Sequence, residues 1–580
     1  MRIGYKTFVM RLCITALTFA GLLISCKGES NQNAETAALL ASLNPGALQG
    51  QNGSASQSLN QSITAEQIRE AFAQESDGSF TFDDSLKISS ADGTKLAANI
   101  FQPKNPVSGK KYPTVIFVNS WALNEYEYLV PAAKLAKKGY VVLSYSTRGF
   151  GFSDGLINTA GPKDREDLNA VVNWLEANPL VDTANIGIAG ISYGAGISLI
   201  GVSVDPRIKT AVAMSGWGSL KRSLYGNDTP RLVWGLILIG AGYFTGHMDP
   251  TIVQNFQKLL GHQDVEAVTT WAAERSAESF VDQLNSSEKS VYISNNFEDF
   301  LFNPNGVLDY YSQITVPKKL DMNEGVHASA EMPGILGLSN LIWNNAYDWF
   351  DYWLKGIDNG IMSKPKVSFQ KRFNGDRVSF PSWPSPSVSN KTYYLEPRGW
   401  FSNGRLSATP NTTNSSTGIL SGADTLATTG FPILSDLLSA HVEIPVTASL
   451  PLVSRINGIV YESGKLSASL KIRGKIFWNG RVSSSLGKAN VNVYFYEMDD
   501  WGIGKLITHG TGTIFNASAN QVRDLSIDLN AVAYDVPAGK KIAIALDTFD
   551  AQYSVPTLLV YGLDVKHSAT QQSTLVIQAE

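Results

Sequence analysis

No other feature constrains this chain as much as a serine that lies between two glycines. It stands where an apolar run meets a run of small residues. Gly190-Ile191-Ser192-Tyr193-Gly194 follows the apolar segment 185–189 and precedes the segment 195–200, which is rich in small and apolar residues. The first segment is typical of a short buried strand, and the second can begin a helix. A serine on a sharp turn between a strand and a helix stands above the edge of a sheet, in strained backbone that flanking glycines accommodate. We therefore expect Ser192 to be a nucleophile, with the backbone N–H of Tyr193 directed at an anionic oxygen formed there.

The same five-residue pattern occurs a second time, around Ser153. It lies behind the glycine-rich loop 148–151, with no strand directly before it, and residues 156–162 after it have the composition of turns. The pattern defines a nucleophile elbow only in a strand–turn–helix context. The sequence therefore favours Ser192 as the nucleophile and places Ser153 in a loop.

Strand and helix patterns alternate around the elbow. Residues 113–118 and 140–145 are β-branched apolar runs typical of buried strands, and residues 129–138 between them are a helix candidate. Residues 164–177 carry apolar side chains at i, i+3, i+4 and i+7, as an amphipathic helix requires. Strands that alternate with helices predict a mostly parallel sheet. The fold class that we expect is α/β, with an α/β-hydrolase core.

The chain is longer than a usual single domain, so we expect several domains in its 580 residues. We assign residues 76–219 and 288–363 to the core. Residues 220–287 have a helical and aromatic pattern without strand signals, and we expect them to form a helical cap inserted in the core. Residues 364–580 contain many strand patterns with turn signals at short intervals, which predicts an all-β jelly-roll sandwich.

The first 26 residues have the features of an export signal. Basic residues at 2, 6 and 11 precede an apolar segment, 12–24, that is too short to span a bilayer. Leu23-Ile24-Ser25-Cys26 resembles a bacterial lipobox, in which the cysteine carries lipid, and an ordinary signal peptide is the alternative. The other cysteine, Cys13, lies inside the signal, so Cys26 has no partner for a disulfide. We expect an exported protein that is lipid-anchored to the bacterial cell envelope, with 27–75 as a flexible tether.

The composition is that of an ordinary globular protein, with 17% charged residues and a net charge of -4. Because there is no basic excess, nucleic-acid binding is not indicated. The sequence has no clustered Cys and His ligands for zinc, no EF-hand pattern and no Walker A motif. We therefore expect no metal and no cofactor, and we expect a small ester, amide or peptide as the substrate.

A nucleophilic serine needs a neighbouring base, and the base needs a carboxylate that orients it. Of the six histidines, two lie in the predicted cap and three in the predicted β domain, whereas His327 follows a predicted core strand. Position and elimination favour His327 as the base. Asp299 follows another predicted core strand and is the candidate for the orienting acid. Glu298 is the competing carboxylate, and Asp309 and Asp321 are weaker alternatives.

Four segments occur in an order that is more specific than any one of them. They are 147–155, the elbow at 190–194, Asp299-x-Leu-Phe302 and Gly325-Val-His327. In this order they resemble the Xaa-Pro dipeptidyl-peptidase-like serine hydrolases, a family that includes cocaine esterase and α-amino acid ester hydrolases. The resemblance extends from about residue 86 to residue 580. It includes Trp383-Pro384 followed by Thr392-Tyr-Tyr-Leu395, which resembles the family's entry into a C-terminal jelly roll.

The resemblance implies a hydrolase that cleaves carboxylic ester or amide bonds through an acyl-enzyme. It implies Ser192 as the nucleophile, Asp299 as the orienting acid and His327 as the base. Two other functions stay open. One is an Xaa-Pro dipeptidyl-peptidase, which needs an anionic or hydrogen-bonding site for the free amine of its substrate, and no motif here identifies one. The other is a surface binding lipoprotein with an inactive hydrolase core, against which the intact Ser, Asp and His argue.

The resemblance also implies a second oxyanion donor just after the strand that ends at Val118. Some relatives use a tyrosine hydroxyl there, whereas this chain has Asn119-Ser-Trp121. We expect the donor to be the backbone N–H of Trp121 or, as an alternative, its indole. Tyr126 or Tyr128 could reach into the same place.

Overall fold

A computed structural model describes Glu66, Arg69, Glu70 and residues 76–580 of the chain. The predicted signal segment 1–26, which contains Cys26, lies outside the described residues. So does the predicted tether 27–75, apart from those three residues.

Within residues 76–580, ten strands form a first sheet: β1 Phe80–Ser89, β2 Lys95–Pro103, β3 Tyr112–Val118, β4 Val141–Tyr145, β5 Val181–Ile191, β6 Ile208–Met214, β7 Ser290–Asn296, β8 Lys318–Asn323, β9 Val367–Gln370 and β10 Arg377–Phe380. Their order across the sheet is β1-β2-β4-β3-β5-β6-β7-β8-β9-β10. The strands from β4 to β9 in this order pair in parallel, and β1, β2 and β10 add antiparallel edges. The predicted parallel sheet is therefore present, and the elbow serine follows its central strand β5.

The α-helices of the described residues are α1 Leu129–Lys137, α2 Pro162–Glu176, α3 Tyr193–Val204, α4 Leu220–Tyr225, α5 Leu232–Thr245, α6 Pro250–Leu260, α7 Val265–Ala273, α8 Val281–Asn285, α9 Pro304–Gln313, α10 Met332–Ile335, α11 Leu341–Lys355 and α12 Leu434–Val442. The ends of α11 show how the sequence sets such bounds. The Asn340 side chain accepts a hydrogen bond from the N–H of Trp343, and Gly356 ends the helix in the left-handed conformation.

Helices cover both faces of the first sheet. On one face, α2 and α3 bury apolar residues such as Leu168 and Ile197 against the strands. On the other face, α1 and α11 do the same with residues such as Leu129 and Trp349. Burial on both faces explains why the central strands are apolar without alternation. The two layers hold the ends of β5, β7 and β8 in fixed positions.

The chain between β6 and β7 forms the helices α4 to α8, which we call the cap. Helix α5 has no charged residue, and its Gly235 lies so close to α6 that an added Cβ would be 2.2 Å from the Phe256 ring. An isolated bridge joins Phe150 to Gly246 and therefore connects the cap to the glycine-rich loop of the core.

In the part of the chain that the structure describes, no helix has both the length and the apolar character needed to cross a bilayer.

A second sheet follows, with the strands β11 Ser389–Glu396, β12 Gly404–Ser407, β13 Ser415–Leu420, β14 Thr447–Ser449, β15 Ile459–Glu462, β16 Leu470–Ser484, β17 Ala489–Met498, β18 Ile503–Ile514, β19 Arg523–Val536, β20 Lys541–Asp547, β21 Gly562–His567 and β22 Thr574–Ala579. This C-terminal domain is all-β apart from α12 and short turns of helix. The sequence placed its start at residue 364, but β9 pairs with β8 and β10 pairs with β9 in the first sheet. Strand patterns alone do not show which sheet a strand joins.

Candidate active site

Ser192 lies on a sharp turn between β5 and α3. Its φ of 56° is in the left-handed region, which a side chain rarely adopts, and the residue is 6% exposed. Close backbone contacts require glycine two residues before Ser192 and two residues after it. A Cβ on Gly194 would be 2.0 Å from the carbonyl oxygen of Val118, and one on Gly190 would be 2.5 Å from the backbone of Gly194. The turn therefore has the geometry of a nucleophile elbow.

Three side chains from the ends of three strands form a continuous hydrogen-bonded chain. Nε2 of His327, in the loop after β8, lies 2.8 Å from Oγ of Ser192. Nδ1 of the same ring lies 2.8 Å from Oδ2 of Asp299, in the loop after β7. The structure thus brings together the three residues that the sequence selected, with each ring nitrogen facing a different partner. This arrangement can take a proton from the serine hydroxyl and hold the resulting imidazolium.

The carboxylate of Asp299 is fully buried and held by its own loop. Its Oδ1 accepts hydrogen bonds from the backbone N–H groups of Leu301 and Phe302, at 3.0 and 2.8 Å. Because Oδ1 has these donors, Oδ2 is left for the histidine. The rings of Phe302 and Trp234 pack edge-on against His327, at 5.1 and 5.7 Å between centroids. The imidazole is therefore fixed in position from two sides.

The competing carboxylates point elsewhere. Glu298 accepts a hydrogen bond from the N–H of Gly325 at 2.9 Å and pairs with Arg372 at 3.2 Å. Asp309 pairs with Arg222 and Lys475, and Asp321 accepts from the hydroxyl of Tyr292 at 2.8 Å. None of the three contacts His327, so tertiary structure separates Asp299 from its neighbour Glu298.

The other histidines have other contacts. His262, His509 and His567 each lie within 2.9 Å of a tyrosine hydroxyl. His441 lies 2.8 Å from Oγ of Ser329, and His247 is exposed on the cap. Within the described residues, no group of three or more His, Cys, Asp and Glu side chains has the arrangement of a metal site.

Ser153, the serine of the second pattern, has a structural position. Its Oγ donates to the carbonyl oxygen of Ser146 at 2.7 Å and accepts from the N–H of Ala97 at 2.8 Å. Nearby Arg148 is buried and forms a two-pronged pair with Asp167, at 2.7 Å for both bonds. These groups hold the glycine-rich loop, as the absence of a strand before Ser153 suggested.

The backbone N–H groups of Tyr193 and Trp121 are the candidates for an oxyanion site. Neither donates to an acceptor in the described part of the chain. The indole Nε1 of Trp121, by contrast, donates to the carbonyl oxygen of Leu238 at 2.9 Å. The hydroxyls of Tyr126 and Tyr128 are engaged with Asp84 and with the N–H of Ile191. The indole and both tyrosine hydroxyls therefore have partners within the protein, whereas the two backbone N–H groups have none among the described residues.

Residues 119–121, which we call the oxyanion loop, are held by groups that the sequence did not reveal. Nδ2 of Asn119 donates to the carbonyl oxygen of Ser120 at 2.8 Å. Because a peptide is planar and trans, fixing this carbonyl also fixes the N–H of Trp121 on its opposite side. The carboxylate of buried Glu127 accepts from the N–H and the hydroxyl of Ser120, both at 2.6 Å. No motif marks Asn119 or Glu127, because their role depends on the local path of the loop.

A cavity between the cap and the elbow opens onto Ser192. Its walls are mostly apolar and aromatic: Trp121, Trp217, Leu238, Ile239, Phe256 and Phe302 are examples. Its charged lining residues are Lys221 and Arg231, and no Asp or Glu belongs to the lining that the structure describes. The cavity, which we call the cap cavity, can hold an apolar group next to the serine hydroxyl.

Comparison with known proteins gives matches over both domains. The sequence model described as X-Pro dipeptidyl-peptidase (S15 family) matches residues 92–329, which include Ser192, Asp299 and His327. The model described as X-Pro dipeptidyl-peptidase C-terminal non-catalytic domain matches residues 359–580.

Individual relatives agree with these matches. A putative Xaa-Pro dipeptidyl-peptidase from Bacillus cereus is 23% identical over 476 residues, covering 74% of this chain and 74% of that protein. A CocE/NonD family hydrolase from Staphylococcus aureus has a TM-score of 0.67 at 13% identity, covering 86% of this chain and 94% of that one. An α-amino acid ester hydrolase has a TM-score of 0.66 at 14% identity, with coverages of 87% and 97%. At these identities the structural likeness shows the fold.

The fold and the matches define the class: this chain is a serine hydrolase with an α/β-hydrolase core, acting on ester or peptide bonds. The two matched ranges together span more than half of the chain. The chain belongs to the Xaa-Pro dipeptidyl-peptidase-like family, in which such a core is followed by a C-terminal β domain. The fold class and the hydrolase function predicted from the sequence are confirmed.

Proposed function

We propose that this enzyme cleaves carboxylic ester or amide bonds with Ser192 as nucleophile, His327 as general base and Asp299 as the group that orients the base. The observation that carries the proposal is the unbroken chain of hydrogen bonds from Ser192 Oγ through His327 to Asp299, with the serine on the elbow. In an α/β-hydrolase this order along the chain, Ser then Asp then His, is the usual one.

The geometry supports a two-step reaction. His327 Nε2 takes the proton of the Ser192 hydroxyl as Oγ attacks the substrate carbonyl. The N–H groups of Tyr193 and Trp121 donate to the oxygen that becomes negative. His327 then gives the proton to the departing alcohol or amine, and an acyl group remains on Ser192. In the second step a water loses a proton to His327 and attacks the acyl carbonyl, which releases the acid and restores the serine.

The lining of the cap cavity supports a substrate with an apolar part. Trp217, Phe256 and Phe302 offer aromatic surface beside the nucleophile. Burial of an apolar group there is favourable at roughly 25 cal/mol per Å² of surface removed from water. We therefore propose that esters with an alkyl or aryl group are better substrates than small polar esters.

Labelling by a fluorophosphonate probe tests the nucleophile. The native protein should be labelled once, Ser192→Ala should not be labelled, and Ser153→Ala should be labelled like the native protein if it folds. Hydrolysis of p-nitrophenyl esters should fall about 10⁴-fold or more in kcat for Ser192→Ala. A native protein that resists the probe would instead favour a binding lipoprotein with an inactive core.

The second candidate is an Xaa-Pro dipeptidyl-peptidase. The S15 family match and the name of the Bacillus cereus relative favour it. Such an enzyme needs an anionic or hydrogen-bonding site for the free amine of its substrate. The described lining of the cap cavity contains two cationic side chains and no carboxylate, so it offers no anionic site for that amine. A screen of p-nitrophenyl esters against Ala-Pro and Gly-Pro amides separates the two candidates. Faster cleavage of the amides, at equal concentration, would favour the peptidase.

We also propose that the mature protein is anchored to the cell envelope through lipid on Cys26. The lipobox-like Leu23-Ile24-Ser25-Cys26 supports this proposal. Two or three acyl chains, at roughly 0.8 kcal/mol per buried CH₂, are enough for stable anchoring. Cys26→Ser should yield a soluble exported protein or an uncleaved precursor, as judged by fractionation and by the size of the product. Unchanged membrane fractionation with normal signal cleavage would contradict the proposal.

A further inference from the structure

Arg231 is a buried arginine in which two nitrogens of the guanidinium lack hydrogen-bond partners among the described residues. The residue precedes helix α5 and is 4% exposed. Its Nε and Nη1 atoms have no hydrogen-bond acceptor in the part of the chain that the structure describes. A buried guanidinium without an acceptor is strongly unfavourable, and proteins usually pair such a group. Two unpaired donors at this depth indicate that their acceptor comes from outside the chain.

The guanidinium packs against the β domain, and the backbone of Arg231 is fixed by helix α4 of the cap. The Tyr553 ring lies 5.1 Å from Cζ of Arg231, at cation–π distance. The hydroxyl of Tyr553 is fixed in turn, 2.8 Å from Nδ1 of His509. The N–H of Arg231 donates to the carbonyl oxygen of Leu224 at 3.0 Å. The side chain is thus positioned before any ligand arrives, which lowers the entropic cost of binding one.

Arg231 lines the same cavity as the nucleophile. Ser192 and Arg231 both belong to the wall of the cap cavity, and most of the wall between them is apolar. A second lining residue, Asn255, has a buried Nδ2 without an acceptor among the described residues. The described lining therefore offers unpaired nitrogen donors and contains no carboxylate that could accept from them. The cavity is complementary to a group that is apolar along its length and carries acceptor oxygens.

We propose that Arg231 binds a carboxylate on the part of the substrate that occupies the cap cavity, so that preferred substrates carry this group beyond an apolar segment. The inference rests on the proposed function, since it uses Ser192 as the reacting end of the same cavity. Arginine suits the task because its planar fork can donate two parallel hydrogen bonds to a carboxylate. Specificity then comes from the distance between the carboxylate and the scissile carbonyl.

Binding to the full-length Ser192→Ala protein tests the inference without any chemistry. The probes are linear carboxylates from butanoate to octanoate and the uncharged primary alcohols of the same lengths, measured by calorimetry. The carboxylates should bind about tenfold to a hundredfold more tightly than the alcohols at the best length, as expected for a hydrogen bond to a charged group. Adding Arg231→Met should abolish this difference, and Arg231→Lys should keep only part of it. Equal affinity for carboxylate and alcohol in Ser192→Ala would overturn the proposal.

Steady-state kinetics of the enzyme with Ser192 intact test the inference independently. p-Nitrophenyl half-esters of glutarate, adipate and suberate are compared with p-nitrophenyl esters of monocarboxylic acids of similar length. The ratio of kcat/KM for charged over neutral esters should exceed one at one length and should fall about tenfold or more in Arg231→Met. A ratio unchanged by that substitution in a folded variant would refute the role of Arg231. Near-native hydrolysis by Ser192→Ala would refute the proposed nucleophile instead and would leave the binding comparison valid.

Discussion

The indole Nε1 of Trp121 donates a hydrogen bond to the backbone carbonyl oxygen of Leu238, at 2.9 Å. Trp121 belongs to the oxyanion loop of the core, and Leu238 belongs to helix α5 of the cap. One side chain therefore joins the backbone that faces the reacting carbonyl to the helix that lines the cap cavity. The position of the cap and the geometry of the proposed oxyanion site are coupled through this contact.

The Trp121 ring packs edge-on against Tyr193, with 5.4 Å between centroids. Trp121→Phe should loosen the coupling to the cap while it keeps the backbone N–H and an aromatic ring at this position. The lost neutral hydrogen bond is worth about 1 kcal/mol. We expect KM for an apolar p-nitrophenyl ester to rise several-fold and kcat to fall by less than about tenfold. Steady-state kinetics measure KM and kcat, and a melting curve measures the loss of stability. A loss of kcat as deep as that of Ser192→Ala would mean that the indole itself stabilises the oxyanion.

Asn119→Ala should lower kcat by about tenfold to a hundredfold, with a smaller change in KM. The substitution removes the Nδ2 donor that fixes the carbonyl of Ser120, so the N–H of Trp121 loses its direction. Removal of a whole oxyanion donor costs up to about 10³-fold, which sets the upper limit. Asn119→Asp is the matched variant, because it keeps the size and the acceptor for the N–H of Thr147 but lacks the donor. If both folded variants keep native kcat, the loop does not need this side chain.

Asp299→Asn should lower kcat by about 10³–10⁴-fold, because an amide in place of the carboxylate favours the wrong tautomer of His327. The neighbouring substitution Glu298→Gln is the control. Glu298 faces Gly325 and Arg372 rather than His327, so we expect kcat within about tenfold of native and a lower melting temperature. The kcat values of the two variants, measured under substrate saturation, decide which carboxylate orients His327. The opposite order would show that the wrong carboxylate has been chosen.

Stability should fall as pH rises from the acid range toward about pH 8. Burial raises the pKa of Glu127 to about 7 and those of Asp436 and Asp547 to about 8. The folded protein therefore keeps protons that the unfolded chain releases near its ordinary carboxyl pKa. This contribution is fully present below that ordinary value and is lost as pH passes the raised values. Melting temperatures between about pH 5 and pH 8.5 should show the decline.

Asp547→Asn provides the control for the pH dependence. The amide can still accept from Asn492, and its NH₂ group can donate to Thr425, so the contacts at 3.0 and 2.7 Å have substitutes. With one titrating group removed, the melting temperature should depend less steeply on pH. A native protein that becomes more stable between about pH 6 and pH 8 would contradict the assigned direction.

The sequence by itself was enough to predict the α/β core, the elbow at Ser192 and the cap as a helical insertion. These features depend on local patterns, since an apolar run, a turn with two glycines and a periodic helix are visible in neighbouring residues. Order along the chain also selected His327 and Asp299. Strand patterns alone did not show that β9 and β10, which follow residue 364, join the first sheet.

The sequence favoured Asp299 but left the adjacent Glu298 as a competitor, and the tertiary structure shows that Asp299 faces the imidazole. Only the tertiary structure shows that the Trp121 indole donates to the cap and that Asn119 and Glu127 hold the oxyanion loop. It also shows that Arg231 is buried with two guanidinium nitrogens that lack an acceptor in the described part of the chain. The physical reason is common to all four cases. Each depends on which groups from distant parts of the chain meet in space within hydrogen-bond distance, and no local pattern of residues encodes that.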